Sequence, residues 1–406
     1  MKYKIFTAVM IILSSVSFAQ NKDEEKVNVT FGGYVRTDVV FDSRQNETTR
    51  EGYFLRYPLK EEKDKNGDDL NAKSSLGLFS IHSRLSAKIT GPSFLGAKPS
   101  GMVETDFFGP GETAVNSLRM RHFYMELKWA KSSLLFGQTW HPMVVSEMAP
   151  QTVSANSGSP FQAFARAPQI RYTQSFSDLA LIFAVSSQRD NTNDGPSGSS
   201  PLYLKNSMIP ELNMLVQYKA GDHLFGIGGN FRSIMPRLKT VKNISTDERV
   251  NSYLGIAYMK LAFSDFVFAA KGLYGQNINH LSMLGGYAVE SVDTATGHET
   301  YTNLNTASAW ADLSYGKDVK VGLFAGYTKN LGAEDNTNGT IYGRGKDIDN
   351  LLRVAPRIMW NISKARLAGE LEYTSAAYGK PDKKAKVQNT TTVANLRLLV
   401  SAYYFF

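Results

Sequence analysis

The chain has 406 residues, no cysteine and a formal charge of +8. Without cysteine it is neither a disulfide-stapled scaffold nor a lipid-anchored lipoprotein. Past the first twenty residues no apolar run approaches the ~20 residues a membrane helix needs, and the mild basic excess suggests anionic partners.

Residues 1–19 read as a secretory signal peptide. Lys2 and Lys4 precede a largely apolar stretch, and Ser17 and Ala19 supply the small residues before Gln20. A short charged lead, 20–29, follows. Residues 30–41 alternate, with Phe31, Val35, Val39 and Phe41 on one face and Tyr34, Arg36 and Asp38 on the other; that is a strand of period two. Residues 42–75 form a long charged connection. Its Asp64, Asn66, Asp68 and Asp69 are oxygen donors of the calcium-loop type but lack the full spacing, so a solvated acidic turn is the reading preferred here.

Residues 80–90 place Ile81, Leu85, Ala87 and Ile89 opposite His82, Arg84, Ser86 and Lys88. Residues 102–108 carry Glu104 and Asp106 on their polar face. In 117–129, Arg119 and Arg121 share one phase, while Tyr124, Glu126 and Lys128 share the other, which requires a bulge between them. After a strand at 134–140 comes 141–168, which is interrupted by Pro142, Pro150 and Pro160 and follows no sustained period. Irregular stretches of this length are usually functional or disordered. Further strands are expected at 169–175, 179–187, 210–218, 223–232, 251–263, 266–274, 307–314, 319–328, 351–360, 365–374 and 392–406, which makes sixteen.

Their connections alternate between long polar segments and turns of a few residues. That series is the signature of an all-β fold of one kind: a transmembrane antiparallel β-barrel with short periplasmic turns and long extracellular loops, covering 30–406. An Arg or Lys on the lipid face costs roughly 2–4 kcal/mol at the bilayer midplane, so the apolar faces point to lipid. In the last strand Leu396, Leu398, Val400, Ala402, Tyr404 and Phe406 face out, while Asn395, Arg397 and Ser401 face in. Trp129, Trp360, Phe263, Phe266, Tyr403 and Tyr404 are expected in the interfacial girdles.

Sixteen strands leave a water-filled channel. Residues 141–168 are then the third long loop, between strands five and six, where general porins fold a segment inward to narrow the lumen. Its charges are His141, Glu147 and Arg166, and Met143, Met148, Phe161 and Phe164 are expected to pack it on the wall. The inward phases of strands fourteen to sixteen, one and two assemble a basic arc: Arg353, Arg357, Arg366, Arg397, Arg36, His82, Arg84 and Lys88. Arg119, Arg121 and Arg171 are candidate extensions, and Asp38, Glu104, Asp106, Asp312, Glu370 and Glu372 are inward acids. Arginine-lined pores favour anions, and guanidinium matches carboxylate in a bidentate fashion.

FGGYVRTDVVFD in strand one, RMRHFYMEL in strand four and LLFGQTW before the long loop resemble the DcaP-like outer-membrane porins. The terminal Tyr-Tyr-Phe-Phe is similar to the barrel-assembly signature of outer-membrane proteins. The resemblance implies a sixteen-stranded, usually trimeric channel for small negatively charged solutes such as dicarboxylates, set among outer-membrane lipid and lipopolysaccharide in a Gram-negative bacterium. Members of that type can carry a helical extension before the barrel; here only 20–28 precedes it.

Competing readings are an unselective porin whose arginines balance lumenal acids, a phosphate-type porin, an outer-membrane enzyme and an adhesin. No cofactor or metal is expected. The six histidines have no metal-ligand spacing, no G-x-S-x-G occurs, and GIGGN (226–230) is not followed by a helix. The basic residues do not interleave with aromatics as in a nucleic-acid groove.

Overall fold

The computed structural model describes residues 26–109 and 111–406; the signal peptide and the start of the charged lead lie outside the described residues. Strand one begins at Asn28, two residues earlier than expected. The barrel strands in order are Asn28–Asp42, the pair Ser75–Phe79 and Arg84–Thr90, Lys98–Asp106, Arg119–Lys128, Ser132–Trp140, Arg166–Phe176, Leu179–Ser186, Glu211–Ala220, His223–Ile234, Val250–Phe263, Phe266–Gln276, Glu299–Tyr315, Val319–Ala333, Ile348–Ile362, Ala365–Pro381 and Val387–Phe405. Each is antiparallel to its neighbours, and strand one pairs with strand sixteen from Tyr34↔Phe405 to Asp42↔Arg397. The sixteen strands therefore close, which leaves no unpaired backbone edge in the hydrocarbon, where each orphaned group would cost several kcal/mol.

The alternation is clean where the sequence is clean. Leu398 and Val400 are about half exposed, whereas Arg397 and Ser401 on either side of them are 1% exposed. Trp360, Phe263, Phe266 and Tyr404 are exposed on the outer side. Tyr403 is a correction: it turns inward, and its ring lies 4.6 Å from the Arg36 guanidinium.

Three further irregularities depart from the simple pattern. Strand two breaks at 80–83, so Ile81 turns inward and packs with Val40, Tyr53 and Phe108 instead of meeting lipid. Strand four does carry the bulge: its partner register jumps from Glu104↔His122 to Thr105↔Met120, leaving Arg121 as the extra residue. The bulge turns both Arg121 and His122 inward, so His122 is a lumenal residue, not an interfacial one. Several long connections are largely strand. Strands twelve, thirteen, fifteen and sixteen run well past their expected ends and raise the wall as extended hairpins.

Two connections fold into the barrel. The third loop spans 141–165, since Arg166 to Pro168 already belong to strand six. Its neck is closed by a hydrogen bond from the His141 N–H to the Ala165 carbonyl (3.0 Å). The first long connection contains a hairpin, Asn46–Thr49 with Phe54–Pro58, that also enters the mouth. Its turn holds Arg50, Glu51 and Gly52 at positive φ, a conformation that costs a non-glycine residue roughly 1 kcal/mol or more. The Glu112 carboxylate compensates by accepting the Arg50 and Glu51 N–H groups at 2.5 and 2.6 Å.

Candidate functional site: the lumen and its loops

Backbone buried in a lumen needs hydrogen-bond partners, and here the charged inward residues supply them. The third loop travels along the wall from strand eight around to strand one. Lys271 donates to the carbonyls of Met143 and Val144, and Lys260 to that of Glu147 (3.3 Å). Asp312 accepts the Gln151 N–H (3.1 Å), and Glu370 accepts those of Val153 and Ser154 (2.7 and 3.0 Å). Glu372 accepts from the Asn156 amide (2.8 Å). Arg36 and Arg353 donate to the carbonyls of Val153 and Ser159, both at 2.8 Å.

Beneath the loop the inner wall is apolar. Met143, Met148 and Phe161 are buried against a cluster that includes Leu215, Ile256, Leu273 and Phe324. Phe161 sits in a notch that Gly326 leaves open; a Cβ there would lie 2.5 Å from the ring. Gly326→Val is therefore expected to dislodge the loop at this point. Single-channel records of the variant should fluctuate among conductance levels where the wild type is steady; a steady record at the wild-type level would show that Phe161 does not hold the loop.

These contacts correct the basic arc. Arg36, Arg353, Arg357 and Arg397 do take the inward phase, but all are at most 5% exposed and lie under the loops. Arg36 pairs with Asp38 (2.7 Å), Arg353 with Glu372 (2.9 Å), Arg357 with Asp312 (2.7 Å) and Arg397 with Asp42 (2.7 Å). Arg397 also donates to the Gly52 and Tyr53 carbonyls, and Arg353 to that of Arg56, which fixes the first-loop hairpin. The Tyr53 hydroxyl donates to Asp38 at 2.6 Å. These arginines anchor loops. Lys88 lies exposed toward the short-turn end of strand two, Arg366 stacks at the start of strand fifteen on Tyr403 and Phe405, and Arg171 bonds Gln169 and the Trp140 carbonyl.

The wall the loops leave bare is that of strands two to five. Two chambers lie along it. One, of about 440 Å³, is lined by His82, Arg84, Glu104, Arg121, His122, Tyr124 and Trp140, with Ser157 and Phe164 facing them from the third loop. The other, of about 170 Å³, is lined by Arg50, Phe54, Arg56, Arg119, Arg166 and Asp190. Phe108 and Phe164 line both chambers. Larger grooves, of about 660 and 640 Å³, run among outward apolar residues of strands six to twelve; lipid covers that face, so their size does not mark a solute site.

The chemistry of the bare wall is set by its charges. Six arginines line the chambers against two carboxylates, Glu104 and Asp190. Arg121 bridges Glu104 (2.7 Å) and the fully buried Asp106 (2.9 Å), Arg119 is bidentate to Asp106 (2.6 and 3.0 Å), and Arg84 is 3.5 Å from Glu104. Arg166 lies over Trp140 (4.6 Å). It comes within 2.6 Å of Asp190, yet out of line for a hydrogen bond, and none of its guanidinium nitrogens has a hydrogen-bond partner. His82 stacks on Phe108 at 5.1 Å, and Phe164 touches Phe54 and Trp140, both at 5.2 Å. Sequence reasoning missed Arg50, Phe54, Arg56, Phe108 and Trp140. The alternation of Tyr53, Leu55 and Tyr57 against Phe54 and Arg56 was the available sign of a hairpin there.

The other named loop residues do different work. Glu147 is exposed, 3.8 Å from Lys219. In the acidic turn, Asp64 accepts the N–H groups of Asn66 and Asp68 (2.8 and 2.9 Å), and Asp69 pairs with Arg44 (2.6 Å); these carboxylates are engaged in holding the turn. His141, Glu211 and His280 are buried with potential ligand atoms all within 4.8 Å of one another, the composition of a zinc site. Their hydrogen bonds oppose that use. The Met143 N–H points at His141 Nδ1 (3.3 Å), so that ring presents its Nε2–H to Glu211 at 2.7 Å, and the Arg232 guanidinium lies against both ring nitrogens of His280. A metal-binding histidine donates from its second nitrogen; here that nitrogen of His141 accepts, and the Arg232 charge occupies the side of His280 a cation would need. The triad fastens the loop root.

Comparison with known proteins agrees with this architecture. Solved structures that resemble the chain include the outer membrane channel DcaP of Acinetobacter baumannii, at 15% identity and TM-score 0.69, covering 96% of this chain and 100% of that one. OmpT of Vibrio cholerae matches at 14% identity and TM-score 0.54, covering 95% and 99%. Salmonella typhi OmpF, solved with daunomycin, matches at 13% identity and TM-score 0.52, again covering 95% and 99%. No curated protein matches the sequence. The family model described as DcaP outer membrane protein matches residues 17–278, well over half of the chain and all of the bare wall. The chain thus belongs to the DcaP outer membrane protein family and is a β-barrel porin of the Gram-negative outer membrane.

Proposed function

We propose that this porin passes small anions, dicarboxylates among them, along the wall of strands two to five, with the third loop setting the width of the path. The observation that carries the reading is the lining of the two chambers, where six arginines stand against two carboxylates. An excess of fixed guanidinium charge along a wall is the arrangement that favours an anion in a pore. Phe108 and Phe164, shared by both chambers, are the proposed narrow point. Trimerisation is part of the proposal. The Vibrio cholerae OmpT has been solved in a trimer form, and native mass spectrometry of this porin is expected to give three copies.

The test is the reversal potential in a salt gradient. Anion preference is expected, and Arg166→Gln or Arg84→Gln should lower the anion-to-cation permeability ratio by about twofold at 0.1 M salt, where the Debye length is about 10 Å. Succinate should reduce the current through the wild type more than through either variant. Cation preference in the wild type, or identical ratios in all three proteins, would overturn the reading. An unselective channel is the outcome if the arginines only balance the acids.

A further inference from the structure

We infer that the barrel holds a second anion site, on its periplasmic side and off the conduction path, shaped for a soluble dianion of about phosphate size or somewhat larger. The site is a cavity of about 310 Å³ beneath the third loop, between strands thirteen and sixteen. Lys320, Asn361 and Arg366 line it, each within a few residues of a short turn, with Tyr403 beside them.

Its roof is closed. Gln151 and Val153 of the third loop cover it, and their backbone is pinned by Asp312, Glu370 and Arg36. A solute entering from the periplasm therefore meets a blind end, whereas the chambers of the proposed path lie across the lumen at strands two to five. Lining residues with inward phase make this a lumenal pocket, which a dissolved ion reaches and a lipid headgroup does not.

The two cations differ from those that anchor the loops. Arg36, Arg353, Arg357 and Arg397 each have a carboxylate. Among the described residues, neither Lys320 nor Arg366 has one within ion-pair distance. Lys320 donates to the Gln151 side-chain carbonyl (3.1 Å), and Arg366 Nε to that of Asn361 (2.7 Å). Asn361 in turn donates to the turn carbonyls of Lys317 and Asp318, so it orients the guanidinium and leaves its outer nitrogens without a protein partner. The nearest inward acids are already engaged: Asp312 is bidentate with Arg357 and accepts the Gln151 N–H, and Glu370 holds two loop N–H groups. Neither can turn to neutralise the pocket without releasing the loop. Strands thirteen and fifteen stand two sheet spacings apart, roughly 10 Å; Lys320 enters the cavity from the first and Arg366 from the second, its guanidinium against Tyr403 and Phe405. Two cations lining one cavity, neither with an acid within ion-pair distance, recognise a divalent anion better than a monovalent one.

The experiment is calorimetric titration of the folded, detergent-purified porin with inorganic phosphate. Lys320→Gln and Arg366→Gln are each expected to weaken binding by at least about tenfold, while Lys242→Gln, in the exposed connection after strand nine and away from both the cavity and the path, leaves it unchanged. Arg366 packs on Tyr403 and Phe405 in the closing strands, so its variant must first show the heat-resistant migration of a folded barrel. Lys320→Gln carries the test alone if it does not. Absence of phosphate binding in the wild type, equal binding in Lys320→Gln, or loss of binding in Lys242→Gln would each overturn the inference. The site does not depend on anion preference in the path, because the reversal potential of Lys320→Gln is not part of its readout.

Discussion

Deleting residues 144–159 is expected to raise single-channel conductance severalfold and to weaken ion selectivity only in part. The loop occupies the lumen along strands eight to one, and its removal opens that volume to water. The charges beneath it respond unequally. Arg36 keeps Asp38, Arg353 keeps Glu372 and Arg357 keeps Asp312, so these pairs stay closed. Glu370 loses both backbone donors, and Lys271 loses the Val144 carbonyl while Met143 at the stump keeps its own; the two newly bared charges are of opposite sign. The arginines of the bare wall are untouched, but a wider path dilutes their field, which falls off over about 10 Å at 0.1 M salt. The deletion also wets Leu215, Ile256, Leu273 and Phe324. Each such side chain is worth about 1.5–3 kcal/mol of burial, so the thermal midpoint should drop while the barrel still assembles. Conductance equal to the wild type would mean that the loop does not set the pore's width.

The strands were legible because lipid imposes a rule on every second residue. Leu396 to Phe406 needs only that rule, and so does Phe31 to Phe41. Rank order along the chain was enough to single out the third loop, since it depends on counting strands and not on any one contact. What could not be read is which inward arginines face water. Arg36 and Arg84 look alike as inward-phase residues. One is covered because Val153, more than a hundred positions away, lies on it; the other borders a chamber with its side chain 22% exposed. Such contacts are non-local, and periodicity carries no information about them. Local irregularities hide in a similar way. The bulge at Arg121 was visible as a conflict of phase, but the break at 80–83 that turns Ile81 inward was not, because the residues there keep alternating through it. The first-loop hairpin was obscured by its charge: Arg397 and Arg353 hold it by its carbonyls, and a sequence does not display its carbonyls.

Acidification from pH 7 toward pH 4 is expected to turn a steady current into one interrupted by closures, and His280→Asn should abolish that change. His280 sits in the connection after strand eleven, outside the membrane span, and is 2% exposed. Burial pushes its imidazole down to about 4, with the Arg232 charge acting in the same direction and Glu211 opposing both. The connection is held to the third loop at two points: the Leu281 carbonyl accepts the Phe164 N–H (2.8 Å), and the Ser282 carbonyl accepts the Ser159 hydroxyl (3.1 Å). The charged groups around His280 are Arg232, Glu211 and His141, with Asp194 reached through Asn279. A second ring proton removes the acceptor that Arg232 uses and sets two cations against each other. The sign follows from the lowered value. A folded-state value below the free imidazole's 6.5 means that the docked connection is fully favoured above about pH 6.5 and is progressively disfavoured as pH falls to about 4. The loss over that window is roughly 3 kcal/mol, enough to loosen the contact of this buried segment with the third loop but not a sixteen-stranded barrel. Once released, it frees Phe164, which borders both chambers, and the ring can then move across the path. His280→Asn keeps a neutral polar group and cannot titrate in this range, so its current should stay steady at pH 4.5 while matching the wild type at pH 7. Closures that persist in the variant would place the sensitive proton elsewhere, with the lumenal carboxylates of strands three and fifteen the next groups to replace.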